Sequence, residues 1–301
     1  MRHPWPSPAD LSLVQRFFAS VLAALCCLAL LAACSPSRLV LHRAADALAA
    51  PSTVPEDDLQ LVREAAAFQL KLSESLLQQV PEHQALAEAV ASGFTQYAYA
   101  FVAFDAERLE GQDAAAAQRL RQRAARLYGR AQRHALAALE RRHSGFVRDL
   151  SAGTARLDAD QAGLAYWAAA AWGARIALST DQPDVVADLP LAARLAQLAF
   201  HAEPGHGAGA LASLVANFEA ARPGGSRAEA ARLFDAAERH GAGRNAGVFV
   251  ARAEALARDD RAQFERLLRQ ALQVAAAHPD LGNQVMGERA RWLLDTIADR
   301  F

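Results

Sequence analysis

Lysine is almost missing from this chain: Lys71 is the only one, and every other basic side chain apart from histidine is arginine. Alanine is correspondingly abundant, the bias of a GC-rich genome, so arginine clusters carry less functional weight than they would elsewhere. Cysteine is nearly as scarce, and its three copies, Cys26, Cys27 and Cys34, all lie near the start. With no cysteine after Cys34, the rest of the chain cannot form a structural disulfide. The net charge of −1 supplies no global field of the kind that draws nucleic acid, and none is expected as a partner. Alternating β-branched runs are missing, which argues against a sheet. No His-Glu-x-x-His or other clustered ligand spacing occurs, so neither a metal nor a cofactor is expected.

Long apolar runs are also rare, with one exception. After MRHPWPSPADLSLVQR, with Arg2 and Arg16 against Asp10, comes an unbroken apolar and small-residue run from Phe17 to Ala33. A basic start followed by such a run marks a secretory signal. The run is shorter than the roughly 20 residues a membrane span needs. Its end, Leu31-Ala32-Ala33-Cys34, resembles the bacterial lipobox, in which small residues fit a peptidase groove and the thiol takes the lipid. The alternative is a retained anchor helix with an incidental cysteine. The expected organisation is a signal peptide at 1–33, a lipid-anchored tether with a short helix (Arg38 to Ala49) at 34–55, and a folded domain at 56–301. Cys34 is then the lipidation site and the membrane contact. Several acyl chains anchor stably where one alone is marginal. Ser35, where aspartate would signal inner-membrane retention, points to the periplasmic face of the outer membrane, in its inner leaflet.

What the domain has in quantity is helical periodicity. Ala230, Leu233, Phe234 and Ala237 repeat at i, i+3, i+4 and i+7, with Arg232, Asp235, Glu238 and Arg239 off that face. Asp235–Arg239, Glu254–Arg258 and Glu265–Arg269 are acid-before-base pairs four apart. Breaks fall at Pro81, Gly111, Gly153, Pro183, Pro204, Pro223-Gly224-Gly225, Gly241-Ala242-Gly243 and Pro279. The expectation is an all-α fold of about ten helices, each roughly 12 to 25 residues long. Small-aromatic-small spacings at Ala124-Tyr128-Ala131 and Ala230-Phe234-Ala237, and Ala192-Ala196-Ala199 with Pro204, fit a degenerate tetratricopeptide-like hairpin array. An irregular helical bundle is the competing fold.

Several segments in order resemble the T component of TRAP transporters. They are RAADALA (Arg43–Ala49), DDLQLVREAAAFQLKLSESLLQQVPEH (Asp57–His83), GFTQYAYAFV (Gly93–Val102), ARLYGRAQRHALAAL (Ala125–Leu139), YWAAAAWGARIALSTDQP (Tyr166–Pro183) and LGNQVMGERARWLL (Leu281–Leu294). Ala65-Ala66-Ala67 departs from the family pattern. The resemblance implies a lipoprotein with tetratricopeptide-like hairpins that serves a periplasmic solute-binding protein feeding an ATP-independent permease. It implies docking or binding, with the solute-binding (P) component as partner, and leaves self-association open. An envelope scaffold for outer-membrane or cell-wall assembly is the alternative use of such an array.

Two residue sets are candidates for binding. Phe94, Tyr97, Phe101 and Phe104 fall on one helical stripe with Tyr99 on another side, and Tyr166, Trp167 and Trp172 form a second cluster. They serve either as core or as a ligand or partner surface on a concave face, where amphipathic Tyr and Trp are at home. Arg119, Arg123, Arg126, Arg130 and Arg133, spaced 4, 3, 4 and 3, form a stripe for an acidic partner or anionic lipid, or else a solvated face. Catalysis has no constellation behind it. Glu203, His201, His206, His240 and His278 are scattered, and Gly205-His206-Gly207-Ala208-Gly209 follows a helix, which reads as a turn and not a phosphate cradle. No enzyme activity is expected.

Overall fold

A computed structural model describes residues 36–50 and 58–301. The expected signal peptide, Cys34 and residues 51–55 of the tether lie outside the described residues. Within them the protein is all-α, and no strand occurs.

Helix α1 (Pro36–Ala49) begins on a proline, whose missing N–H costs nothing in a first turn. Helix α2 (Leu59–Gln79) is capped by the Asp58 carboxylate, which accepts from the N–H groups of Gln60 and Leu61. Helix α3 (Gln84–Tyr97) continues through a π-helical stretch (Ala98–Ala103) into α4 (Phe104–Leu109). Helix α5 (Ala114–Arg142) is 29 residues long and exceeds the expected length. Gly129 is its only breaker, and the alanine, leucine and arginine around it are strong helix formers. Then come α6 (Phe146–Ala152), α7 (Ala162–Ala177), a short α8 (Pro183–Val186), α9 (Leu189–Ala202), α10 (Ala210–Ala221), α11 (Arg227–His240), α12 (Ala246–Leu256), α13 (Arg261–Ala277) and α14 (Leu281–Asp295). Most turns fall at the expected glycines and prolines, but the α5–α6 break at His143–Gly145 and the α12–α13 turn at Ala257–Asp260, which has neither residue, lie outside the expected breaks. Helices α4, α6 and α8 are shorter than the roughly 12 residues expected. Ser226, Asn245, Asp260 and Asp280 cap the helices that follow them.

Consecutive helices pack side by side into an array. The small-aromatic-small positions lie where they meet: Ala124, Tyr128, Ala131, Ala192, Ala196, Ala199, Ala230, Phe234 and Ala237 are all buried. Small side chains let helix axes approach, and each hairpin buries a face that it could not bury alone. The largest core runs from Ala45 through α3, α5, α7 and α9 to Phe218 on α10, and smaller cores fill the C-terminal hairpins. At the turn into α10, Gly209 takes a φ of 86°, and a Cβ there would sit 2.1 Å from the Ala237 carbonyl oxygen. That close approach locks α10 onto α11.

Of the three acid–base pairs read along single helices, only Glu265–Arg269 forms (2.9 Å) among the described residues. Asp235 instead meets Arg252 of α12 (2.8 Å), and Glu254 meets Arg289 of α14 (2.6 Å). Exposed pairs four apart are worth only a few tenths of a kcal/mol, so a better shielded partner on a facing helix outcompetes them.

Candidate functional site

The array curls until its last helix meets its second hairpin. Arg289 of α14 donates to Glu107 on α4 (3.1 and 3.2 Å) and to Glu254 on α12 (2.6 and 3.1 Å). Its guanidinium also lies within 6 Å of the ring centroids of Tyr99, Phe104 and Trp292. Phe104 and Trp292 meet edge to face at 5.3 Å, and Arg108 approaches Glu288 at 3.8 Å. Beside this seam, with Tyr99 and Glu254 in its wall, lies an open cavity of about 1310 Å³ lined by residues of α1, α2, α3, the π stretch, α7, α10, α12 and α14.

Five of the six aromatic candidates line that cavity: Tyr97, Tyr99, Phe101, Tyr166 and Trp167. Tyr97 and Phe101 pack edge to face at 5.7 Å, Tyr166 and Trp167 do so at 4.7 Å, and His206 lies 5.5 Å from Tyr166. Trp172 does not join them. It is buried in the core and donates its indole N–H to Asp188 (3.1 Å), because five residues along α7 turn it away from the cavity. The expected stripe Phe94-Tyr97-Phe101-Phe104 splits too. Phe94 and Phe104 are core, while Tyr99, expected on another side, reaches the cavity and donates to Met286 Sδ (3.8 Å). The π stretch interrupts the 3.6-residue period at this point, which a straight-helix reading misses.

Between the rings sit uncharged polar groups. Among the described residues, the cavity-facing hydroxyls of Ser73 and Ser213 and the side chains of Gln69, Gln96 and Asn217 bond no other protein group, and all five line the cavity. Burial pushes the His206 imidazole below its usual range against the opposing pull of Glu203, so it is neutral at neutral pH. Burial likewise drives the Tyr166 hydroxyl up to about 12. Glu254 is spent on Arg289, and Asn283 on backbone groups around Ala246, Arg244 and His278. The result is an aromatic chamber with uncharged hydrogen-bonding points, and the exposed Arg244, Arg258 and Asp280 also border it. Sequence periodicity pointed to the rings but not to Ser213 or Asn217, polar residues in bland surroundings, and in the sequence His206 reads only as part of a glycine-rich turn.

The arginine stripe of α5 splits as well. Arg119, Arg123, Arg126 and Arg133 are exposed, with no acidic partner among the described residues. Arg130 is instead clamped to the buried Glu74 of α2 and lies over the Phe94 ring. Lys71 (2.7 Å) and His134 (2.8 Å) bind the same carboxylate. Arg130 therefore belongs to the fold and is withdrawn from any docking face. Among the described residues, no group of three or more His, Cys, Asp or Glu side chains is placed to hold a metal ion.

The family model of the TRAP transporter T-component matches residues 55–301. The chain belongs to that family. An uncharacterized protein of Treponema pallidum (strain Nichols) is 30% identical to it over 265 residues, covering 82% of this chain and 81% of the relative. As a T component, the protein is an accessory of TRAP transport, and the seam and cavity are features of that accessory.

Proposed function

We propose that this T component is a lipid-anchored, periplasm-facing lipoprotein of the outer membrane that receives the solute-binding component of its TRAP system and holds that component's solute in the aromatic chamber. The observation that carries the reading is the chamber itself. It is large enough for a small organic molecule, largely apolar, and studded with neutral donors and acceptors that no other protein group uses. The exposed arginines of α5 supply the dock, since unpaired like charges steer an acidic surface and raise its association rate. A receptor tethered to a membrane gains from effective concentration, so modest affinity suffices.

Calorimetry with the purified solute-binding protein tests the dock. Reversing Arg123 and Arg126 to glutamate is expected to weaken association about tenfold at low salt, and moderate salt is expected to have the same effect on the native protein. Changing Tyr166 and Trp167 together to alanine is expected to lower solute binding by roughly 30-fold, equivalent to about 2 kcal/mol, with helicity checked by circular dichroism. No association with the co-expressed solute-binding protein, even well above micromolar concentration, would overturn the docking reading in favour of an envelope scaffold.

The anchor has its own test. Cys34→Ala is expected to leave the precursor uncleaved and free of labelled fatty acid, because the acyl chains have no other attachment point. Equal incorporation into native and variant protein would refute it.

A further inference from the structure

Apolar side chains left in water are not spread evenly over this molecule. Of the eight large hydrophobic residues exposed among the described residues, five belong to α1 and α2: Leu39, Val40, Leu61, Phe68 and Leu72. Phe68 stands out at 74% exposure and Val40 at 65%. The remaining three, Val147, Leu281 and Phe301, are scattered singly over other elements, which is ordinary for a protein surface.

Helical geometry sets four of the five, all but Leu39, on two rows. On α2, Leu61, Ala65, Phe68 and Leu72 recur at i, i+4, i+7 and i+11, a single outward row opposite the buried Leu70, Glu74 and Leu77. On α1, Val40, Ala44 and Ala47 recur at i, i+4 and i+7, also away from the buried Ala45. The rows adjoin, because Ala44, Ala47 and Leu48 border a shallow groove whose other wall is Leu72, Ser75 and Leu76. Exposed Arg43 stands on α1 beside its apolar row, and on α2 the exposed Glu64 borders Leu61 and Phe68 while Lys71 is turned to Glu74.

The chain itself says what this face meets. Helix α1 begins two residues after Cys34, so Leu39 and Val40 lie within about 12 Å of the anchor's attachment point. The polar layer of a leaflet is roughly 5–8 Å thick, and a short link of this kind cannot hold α1 clear of it. We infer that the exposed apolar face of α1 and α2 lies in the membrane interface, with Arg43 at the headgroups. It thereby fixes the orientation of the whole domain on the bilayer instead of leaving it to swing on its tether. This rests on the proposed acylation of Cys34. An amphipathic helix face held beside a lipid anchor buries its apolar side at the boundary of headgroups and acyl chains.

The test exploits the absence of any free thiol in the mature protein. V40C and F68C, with R239C on α11 as control, would each carry one polarity-sensitive fluorophore on the acylated mature protein. The labelled proteins would be reconstituted into phosphatidylethanolamine–phosphatidylglycerol vesicles with and without brominated acyl chains. The expected result is a blue shift and loss of most emission with brominated lipid at positions 40 and 68, and no change at 239. Probes at 40 and 68 that stay in water on vesicle-bound, acylated protein would overturn the inference. So would probes shielded without bromine quenching, whether by self-association or only after the solute-binding protein is added. Mass spectrometry of the same preparation reads the acyl chains. Their absence would overturn the anchor, and this inference with it, and is thereby told apart from failure of the inference alone.

Discussion

Arg289→Met is expected to destabilise the protein by about 3 kcal/mol and to lower its melting temperature by roughly 6–12 °C. The native guanidinium is nearly buried and, among the described residues, is the only cation between Glu107 and Glu254. Removing it loses the charge-assisted hydrogen bonds and leaves two carboxylates facing one another without a counter-charge. The full cost of breaking a buried pair runs to about 5 kcal/mol, and the partial exposure of both carboxylates sets the lower end. Because the two acids sit on α4 and α12, their release should also free α14 from the second hairpin. Small-angle scattering should then report an expanded particle. Adding Glu107→Gln and Glu254→Gln to the variant should recover part of the loss by removing the repulsion. A variant that melts within a degree of the native protein, with unchanged scattering, would show that Arg289 does not close the array.

Glu74→Gln should cost a similar amount, about 3 kcal/mol, and its effect should depend on pH. Burial alone would raise the Glu74 carboxyl, but hydrogen bonds from Arg130, Lys71 and His134 outweigh it and hold the group at about 2, against an ordinary 4.5. The folded value lies below the unfolded one, so the stabilisation is complete above about pH 4.5 and disappears as pH falls through about 2. Every tenfold weakening of proton binding in the folded state corresponds to about 1.4 kcal/mol, which sets the expected size. Urea unfolding of native and variant protein should therefore show a large difference at neutral pH and less than half of it near pH 3. A difference independent of pH would mean that the clamp holds through packing of Arg130 on Phe94 and not through the carboxylate's charge.

Both effects expose the limit of reading along one helix. Arg130 sits in register with four exposed arginines, and nothing local separates it from them. What does so is Glu74, 56 residues earlier and buried against α5. Arg289 and Glu107 are 182 residues apart, and no periodicity links them until the array has curled. The same holds for Trp167 and Trp172: one α7 segment carries both, and only the packing of α9 and the position of Asp188 make one of them core.

Helicity, most of the helix ends, the small and aromatic residues that let the helices pack closely, and the family are all legible in the chain. These are consequences of local propensity, of turn chemistry at glycine and proline, and of a period that a single helix must obey. Packing in three dimensions set which aromatic rings face a common chamber, which arginine is spent on the fold, and which residues join the last helix to the second hairpin. Those outcomes depend on the curvature summed over successive hairpins and on desolvated charges that find partners far along the chain.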